Sequence, residues 1–334
     1  MRVMSLNNQS ITAIPGITVG HVTDHENLTG VTVVRFAGEG ATAAASVQGA
    51  APGTRETDLL EPGNLVERAN AIVLSGGSAY GLDAASGVMA ALEAEGLGLP
   101  VLEGVVVPIV PAAVLFDLQL GSAGVRPTAQ WGAKAALDAT SAPVGSGNLG
   151  AGTGATVGKL AGPERATKGG LGNALREFDD GVLVGALAAV NAVGEVFDST
   201  TGQTIAGVRA TAPGCYESAV DLALGTFESG ALIGTNTTLG VIATNVQLSK
   251  AQLKKVAEMA HDGLARAVRP VHTLFDGDTI FAVSVTNSSK QSQAVTPQLI
   301  NKLGVAAAAA MQSAILNAVR SAASVDGVPA QKDW

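Results

Sequence analysis

The residues best placed to do chemistry lie in one stretch, Gly234-Thr235-Asn236-Thr237-Thr238-Leu239-Gly240-Val241-Ile242-Ala243-Thr244-Asn245. It starts polar and broken by glycine, then becomes an apolar run rich in β-formers, which reads as a loop feeding a buried strand. Thr237 stands at the change. A threonine hydroxyl is a poor nucleophile until a base takes its proton. A cut before Thr237 would put an amine on the same residue, and an α-amine of reference pKa about 7.7–8.0 is roughly one-tenth free base at neutral pH. Threonine with its own terminal amine is a known form of activated nucleophile. The spacing does not dictate the cut. The same threonine can simply open a strand, and Asn236-Thr237-Thr238 is also a glycosylation sequon.

Other stretches carry weaker signals. Gly150-Ala151-Gly152-Thr153-Gly154-Ala155-Thr156-Val157-Gly158-Lys159 invites a phosphate loop, but G-x-x-x-x-G-K needs glycine where Thr153 stands and Ser or Thr where Leu160 stands. What remains is a glycine-permissive backbone presenting one lysine, Lys159, in neutral surroundings. Ala71–Ser75 reads as a buried strand, followed by Gly76-Gly77-Ser78-Ala79-Tyr80-Gly81 and a helix to about Glu95. A nucleophile elbow would need glycine at the position of Tyr80, so that motif fails. Free amides at the helix start could still meet an anion or a carbonyl oxygen. Asn191 ends the apolar run 182–190, either as a satisfied core group or as a donor into a site. Asp276-Gly277-Asp278 is either a solvated turn or half a metal site; the rest of a calcium loop is missing, and His21, His25, His261 and His272 lack zinc spacing.

These residues need a scaffold. The chain has 334 residues, 47% hydrophobic and 14% charged, with 42 glycines and 3% aromatics. Such a chain fills a large core with Ala, Val and Leu at close backbone approach, and so few charges cover a monomer poorly, which points to a homo-oligomer. The formal charge is −8 without a Lys/Arg cluster, which excludes nucleic acid as a natural partner. The single cysteine, Cys215, forms no internal disulfide and suits a reducing compartment. No signal-peptide pattern opens the chain, and no run reaches eighteen uninterrupted apolar residues, so cytoplasmic, off the membrane and unglycosylated is the expectation.

Residues 11–50 read as antiparallel strands, 51–63 as a polar loop, and 100–116 as proline-bearing edge strands or loops lining a pocket. Residues 199–236 form a loose leash to Thr237. Ser249-Lys250-Ala251-Gln252 is a capping box opening a helix to about Val268, and Thr296-Pro297 opens a last helix to about Ala322. The whole reads as one α+β domain over 1–334.

Taken in order, the motifs resemble the P1-type peptidases of the DmpA superfamily (family S58), self-cleaving aminopeptidases and amidases that include the nylon-oligomer endo-hydrolases. The resemblance runs through PGITVGHVTD (15–24), TGVTVV (29–34), APGTRETDLL (51–60), LSGGSAYGLDAASGVM (74–89), VVVPIVPAAVLFDL (105–118), GNLGAGTGATVGKLAG (147–162), ALAAVNAVG (186–194), GTNTTLGVIATN (234–245) and HTLFDGDTIFAVS (272–284). It implies an αββα sandwich of the DmpA/ornithine acetyltransferase type, N-terminal-nucleophile-like. It implies self-cleavage between Asn236 and Thr237 into fragments 1–236 and 237–334 that stay together, in a tetramer of cleaved protomers. Thr237 would be the nucleophile and its amine the base. Lys159 would sit beside it and depress the amine's pKa, Asn191 and Tyr80 would meet the substrate carbonyl and its oxyanion, and Asp276 and Asp278 would orient Lys159 and Thr237. Metal and organic cofactors would play no part. The implied activity is hydrolysis of small peptides and amino-acid amides or esters through an acyl-Thr237. The alternatives are endo-cleavage of linear 6-aminohexanoate oligomers, acyl transfer to an amine, and an uncleaved binding protein on the same scaffold.

Overall fold

Runs of alternating β-formers bury both faces, so each strand feeds two different layers. The structure is a computed structural model and describes residues 8–225, 234–285, 294–325 and 327–334. Along the chain, the strands of its two main sheets are β1 (Ile17–Asp24), β2 (Thr29–Phe36), β3 (Ala41–Val47), β4 (Gly53–Arg55), β5 (Arg68–Ala69) and β6 (Ala71–Ser75). They continue with β7 (Ala112–Val114), β8 (Gly170–Glu177), β9 (Leu183–Asn191), β10 (Thr237–Thr244) and β11 (Thr279–Ser284). One sheet has the order β1-β2-β6-β7-β4 and the other β8-β9-β10-β11-β3-β5. Helices α1 (Asp83–Ala94) and α2 (Ala129–Leu137) cover the first sheet, while α3 (Lys250–Ala267) and α4 (Pro297–Arg320) cover the second.

Side-chain alternation divides the core among these layers. In β9, Val184, Ala186, Ala188 and Val190 face α3 and α4, whereas Leu183, Leu187 and Ala189 face the other sheet. Leu239, Val241 and Ala243 of β10 and Phe281 and Val283 of β11 fill the same inter-sheet layer, with Ile72 and Leu74 opposite. Val31, Val33 and Val73 turn outward onto α1 and α2. The result is helix, sheet, sheet, helix: the αββα sandwich. Helix α4 has an 18-residue window of mean hydropathy 1.4, long and apolar enough by composition to cross a membrane, yet 61% of that window is buried in the protein. Its apolarity is used against the sheet.

Several local expectations hold. Ser249 accepts from Gln252 N–H in a complete capping box, and the Thr296 side chain accepts from Leu299 N–H. Others change. Within 100–116, Ala112–Val114 is an interior strand of the first sheet, and Leu99–Leu102 pairs with Val105–Val107 as a separate exposed hairpin. The loop 51–63 contains β4, which pairs with β7. The described part of 199–236 holds short strands and a helix, Ala219–Leu224; residues 226–233 of the expected leash lie outside the described residues.

Candidate active site

Three adjacent strands bring the site together. β9 ends where its antiparallel neighbour β10 begins, with Asn191 directly opposite Thr237. β11 runs parallel to β10, and a bridge between Asn236 and Asp276 extends that pairing past the strand starts. One end of the sheet therefore gathers Asn191, Thr237, Asp276 and Asp278. Counting in twos from Leu239 and Ala189 puts Thr237 and Asn191 on the inter-sheet face. Lys159 arrives from a loop locked to the turn after β9, through Gly158 N–H to Gly194 O and Lys159 N–H to Val193 O, both at 3.0 Å. Gly158 has φ +72, and a Cβ there would lie 2.1 Å from the Gly207 carbonyl carbon, so no other residue fits.

Thr237 is buried, and its hydroxyl donates to the carbonyl of Asn236 at 2.5 Å. The same oxygen accepts the Gly277 N–H at 2.8 Å. A Cβ on Gly277 would stand 2.7 Å from Thr237 Oγ1 and 2.9 Å from Ala51 O, so the approach of that amide requires glycine. A hydroxyl thus lies against the peptide carbonyl before it, with an N–H placed where negative charge would grow on the oxygen if that carbonyl were attacked.

Lys159 and Asn191 form the next layer. Lys159 Nζ donates to Asn191 O at 3.0 Å, Asn191 Oδ1 at 2.9 Å and Thr235 O at 3.1 Å. Burial pulls Lys159 from 10.5 down to about 7, opposed by the charges of Asp276 and Asp117. The Asn191 carboxamide is held at both ends: Oδ1 accepts Thr156 N–H at 3.0 Å, while Nδ2 donates to Phe116 O at 2.9 Å and Thr235 O at 3.2 Å.

The carboxylates act at one remove. Asp278 Oδ1 accepts Thr238 N–H at 2.6 Å, so it fixes the peptide after the nucleophile and not the hydroxyl. Its Oδ2 takes both His272 N–H at 3.2 Å and His272 Nδ1 at 2.8 Å. Asp276 Oδ2 accepts the Thr273 N–H and hydroxyl at 2.8 and 2.7 Å. Burial, then the charge of Asp278, raises Asp276 to about 6; the Thr273 bonds and Lys159 oppose the rise. Asp276 acts on Lys159 through its field, since among the described residues no ion pair joins them. Asp276-Gly277-Asp278 is buried, which removes the solvated-turn alternative.

Tyr80 stands apart. It is 62% exposed on the turn Ser78–Leu82, with the Arg126 guanidinium 3.9 Å above its ring. The amides expected to be free at that helix start are engaged: Gly76 N–H with Gly30 O, Gly77 N–H with Asp117 Oδ1 and Ser78 N–H with Leu115 O. The anion site suggested by the sequence is therefore closed at these positions, because the turn is tied down by its own neighbours. Sequence reading missed Asp117, Lys168, His272, Thr273 and Gly277. Asp117 did leave a signal, as the carboxylate ending the apolar run 105–116. Lys168 left none.

The profile of peptidase family S58 matches residues 9–332. The chain belongs to peptidase family S58. An uncharacterized aminopeptidase of Mycobacterium leprae is 42% identical over 355 residues, covering 98% of this chain and 95% of that protein. A 6-aminohexanoate-oligomer endohydrolase of Kocuria sp. is 32% identical over 277 residues, covering 81% and 73%. Among solved structures, a β-aminopeptidase of Burkholderia sp. superposes with TM-score 0.67 at 23% identity, covering 94% of this chain and 87% of its own. The L-aminopeptidase D-Ala-esterase/amidase of Ochrobactrum anthropi, described as a variant of the Ntn hydrolase fold, gives 0.68 at 21%, covering 94% and 86%. These neighbours establish the N-terminal-nucleophile-type fold. Membership of S58 makes the chain a peptidase-class hydrolase.

Proposed function

We propose that this S58 chain cuts itself between Asn236 and Thr237 and then hydrolyses small peptides and amino-acid amides or esters through an acyl-Thr237. The observation that carries the reading is the Thr237 hydroxyl against the Asn236 carbonyl, with the Gly277 N–H on the same oxygen. In self-cleavage, Thr237 Oγ1 bonds to the Asn236 carbonyl carbon, its proton passes to the departing Thr237 nitrogen, and an ester replaces the amide. Water then splits the ester, leaving a carboxylate on Asn236 and a free amine on Thr237. In turnover that amine takes the hydroxyl proton, returns it to the leaving amine of the substrate, and serves as base for the water that ends the cycle. The Gly277 N–H is the donor offered to the acyl oxygen, Asn191 and Lys159 hold the Thr235 carbonyl one residue earlier, and Asp278 steadies the first peptide of β10. Tyr80 lies at the surface under the Arg126 guanidinium.

The aminopeptidase names among the relatives support cleavage of small free-amine substrates, and the endohydrolase relative supports linear aliphatic oligomers as the second reading. Acyl transfer is a variant of the same chemistry in which an amine replaces water. The exposed apolar hairpin, with Leu99, Val101, Leu102 and Val105 all open to solvent, supports an assembly of cleaved protomers, and the single cysteine supports a cytoplasmic setting. Mass spectrometry of products from an aminoacyl-nitroanilide and from a 6-aminohexanoate oligomer tests the substrate class. Faster release from the nitroanilide is expected, and turnover of the oligomer alone would replace the first reading with the second.

A further inference from the structure

Among the described residues three lysines are buried, Lys159, Lys168 and Lys250, and the reaction above uses only the first. Lys168 is 0% exposed, and its ammonium donates to three carbonyls: Gly152 O at 3.1 Å, Ala155 O at 2.8 Å and Gly169 O at 3.1 Å. Burial draws it down to about 7, and the one charge that resists is Asp117. Burying a cation among neutral carbonyls is costly, so its bonding is informative. Ala155 C=O and Thr156 N–H belong to one peptide unit. Lys168 holds the oxygen of that unit, and its N–H points the other way, onto Asn191 Oδ1 at 3.0 Å. The chain of bonds runs from Lys168 through a single peptide to Asn191 and on to Lys159 at 2.9 Å. Such a chain polarises along its length.

The other end of Asn191 is fixed comparably. Its Nδ2 donates to Phe116 O at 2.9 Å, and the next residue, Asp117, is anchored by the Gly77 N–H and the Thr29 hydroxyl, both at 2.7 Å. An asparagine amide can be turned end for end, and what decides its direction is the polarity of its neighbours. Here an N–H faces Oδ1 and a carbonyl faces Nδ2. If the Ala155–Thr156 peptide turned over, a carbonyl would face Asn191 Oδ1 and oppose the direction that Lys159, Phe116 O and Thr235 O favour, loosening the hold on Thr235.

We propose that Lys168 is a positioning residue: together with the Gly169 N–H at 2.8 Å it holds the Ala155–Thr156 peptide, and so keeps the Asn191 carboxamide turned with Oδ1 on Lys159 and Nδ2 on the Thr235 carbonyl, one residue before the Asn236–Thr237 bond. The reading deepens the function proposed above and rests on self-cleavage at that bond.

The direct test is NMR of protein labelled with ¹⁵N-asparagine in the Thr237→Ala background, which keeps the chain whole. The Asn191 side-chain amide pair is assigned by its loss in Asn191→Ser. Lys168→Met should shift this pair and speed its exchange with solvent, and Lys168→Arg, which retains several donors, should restore the signal at least in part. With Thr237 intact, Lys168→Met should slow self-cleavage about 10–100-fold, the range seen when an outer partner of a site group is lost. An unchanged Asn191 pair in Lys168→Met overturns the inference. So does failure of both Lys168 variants to fold, which would assign the residue to stability alone. An unsubstituted protein that never cuts before Thr237 would be a failure of the underlying function, seen in a separate sample and leaving the NMR result readable.

Discussion

At the scale of single residues, the site depends on charges held where water cannot reach them. Lys159 titrates near 7 in the fold and at 10.5 as a free side chain. Between those values the unfolded chain binds about one more proton than the folded one, so stability rises with pH by up to about 1.4 kcal/mol per unit from this group. The burial penalty is complete below pH 7 and gone above 10.5. Asp276 acts in the opposite sense and lower down: its folded value near 6 exceeds the ordinary 3.8, so its contribution falls as pH rises through that window. Urea unfolding of Thr237→Ala and of Lys159→Met in the same background, from pH 7 to 9.5, checks the larger effect. The methionine variant should have a distinctly flatter slope; parallel curves would mean that Lys159 is not held near neutrality.

At the scale of elements, strand ends do the gathering and helix caps keep the outer layer in place. The Ser249 capping box starts α3, whose buried Leu253, Val256, Ala260 and Leu264 close the core over β3 and β11. Ser249→Ala should cost about 1 kcal/mol of unfolding free energy, read as a lowered urea midpoint with an unchanged m-value; no loss would show the cap to be redundant. That cap was plain in the sequence because its four residues are contiguous. So was the strand 71–75, and so was Asn191 at the end of an apolar run. The register that sets Asn191 against Thr237 was not, because it joins residues far apart in the chain. His272 was passed over for a different reason: zinc spacing was sought, whereas the fold uses it on Asp278, a neighbour in the chain. The exposed hairpin around Leu102 fits the edge-strand reading of 100–116, whereas Ala112–Val114 was not seen as interior because its neighbours on either side come from distant segments. The helix-start amides were read as free because their partners, Gly30, Leu115 and Asp117, come from distant segments.

At the scale of the whole molecule, cutting one bond need not undo the fold. Residues 237–244 form an inner strand of the six-stranded sheet, bonded on one side to β9, which precedes the proposed cut, and on the other to β11, which follows it. Helices α3 and α4 would belong to the shorter fragment and cover strands of both, and the inter-sheet core mixes residues from before and after position 237. Separating the fragments would expose all of that apolar surface, so they should remain one particle after cleavage. The central claim is that the reactive amine is made by the protein itself at Thr237. N-terminal sequencing of the purified protein after prolonged incubation tests it most directly: a second terminus reading Thr-Thr-Leu-Gly-Val is expected beside that of the longer fragment and absent from Thr237→Ala. A single intact chain that nevertheless hydrolyses amides would contradict it.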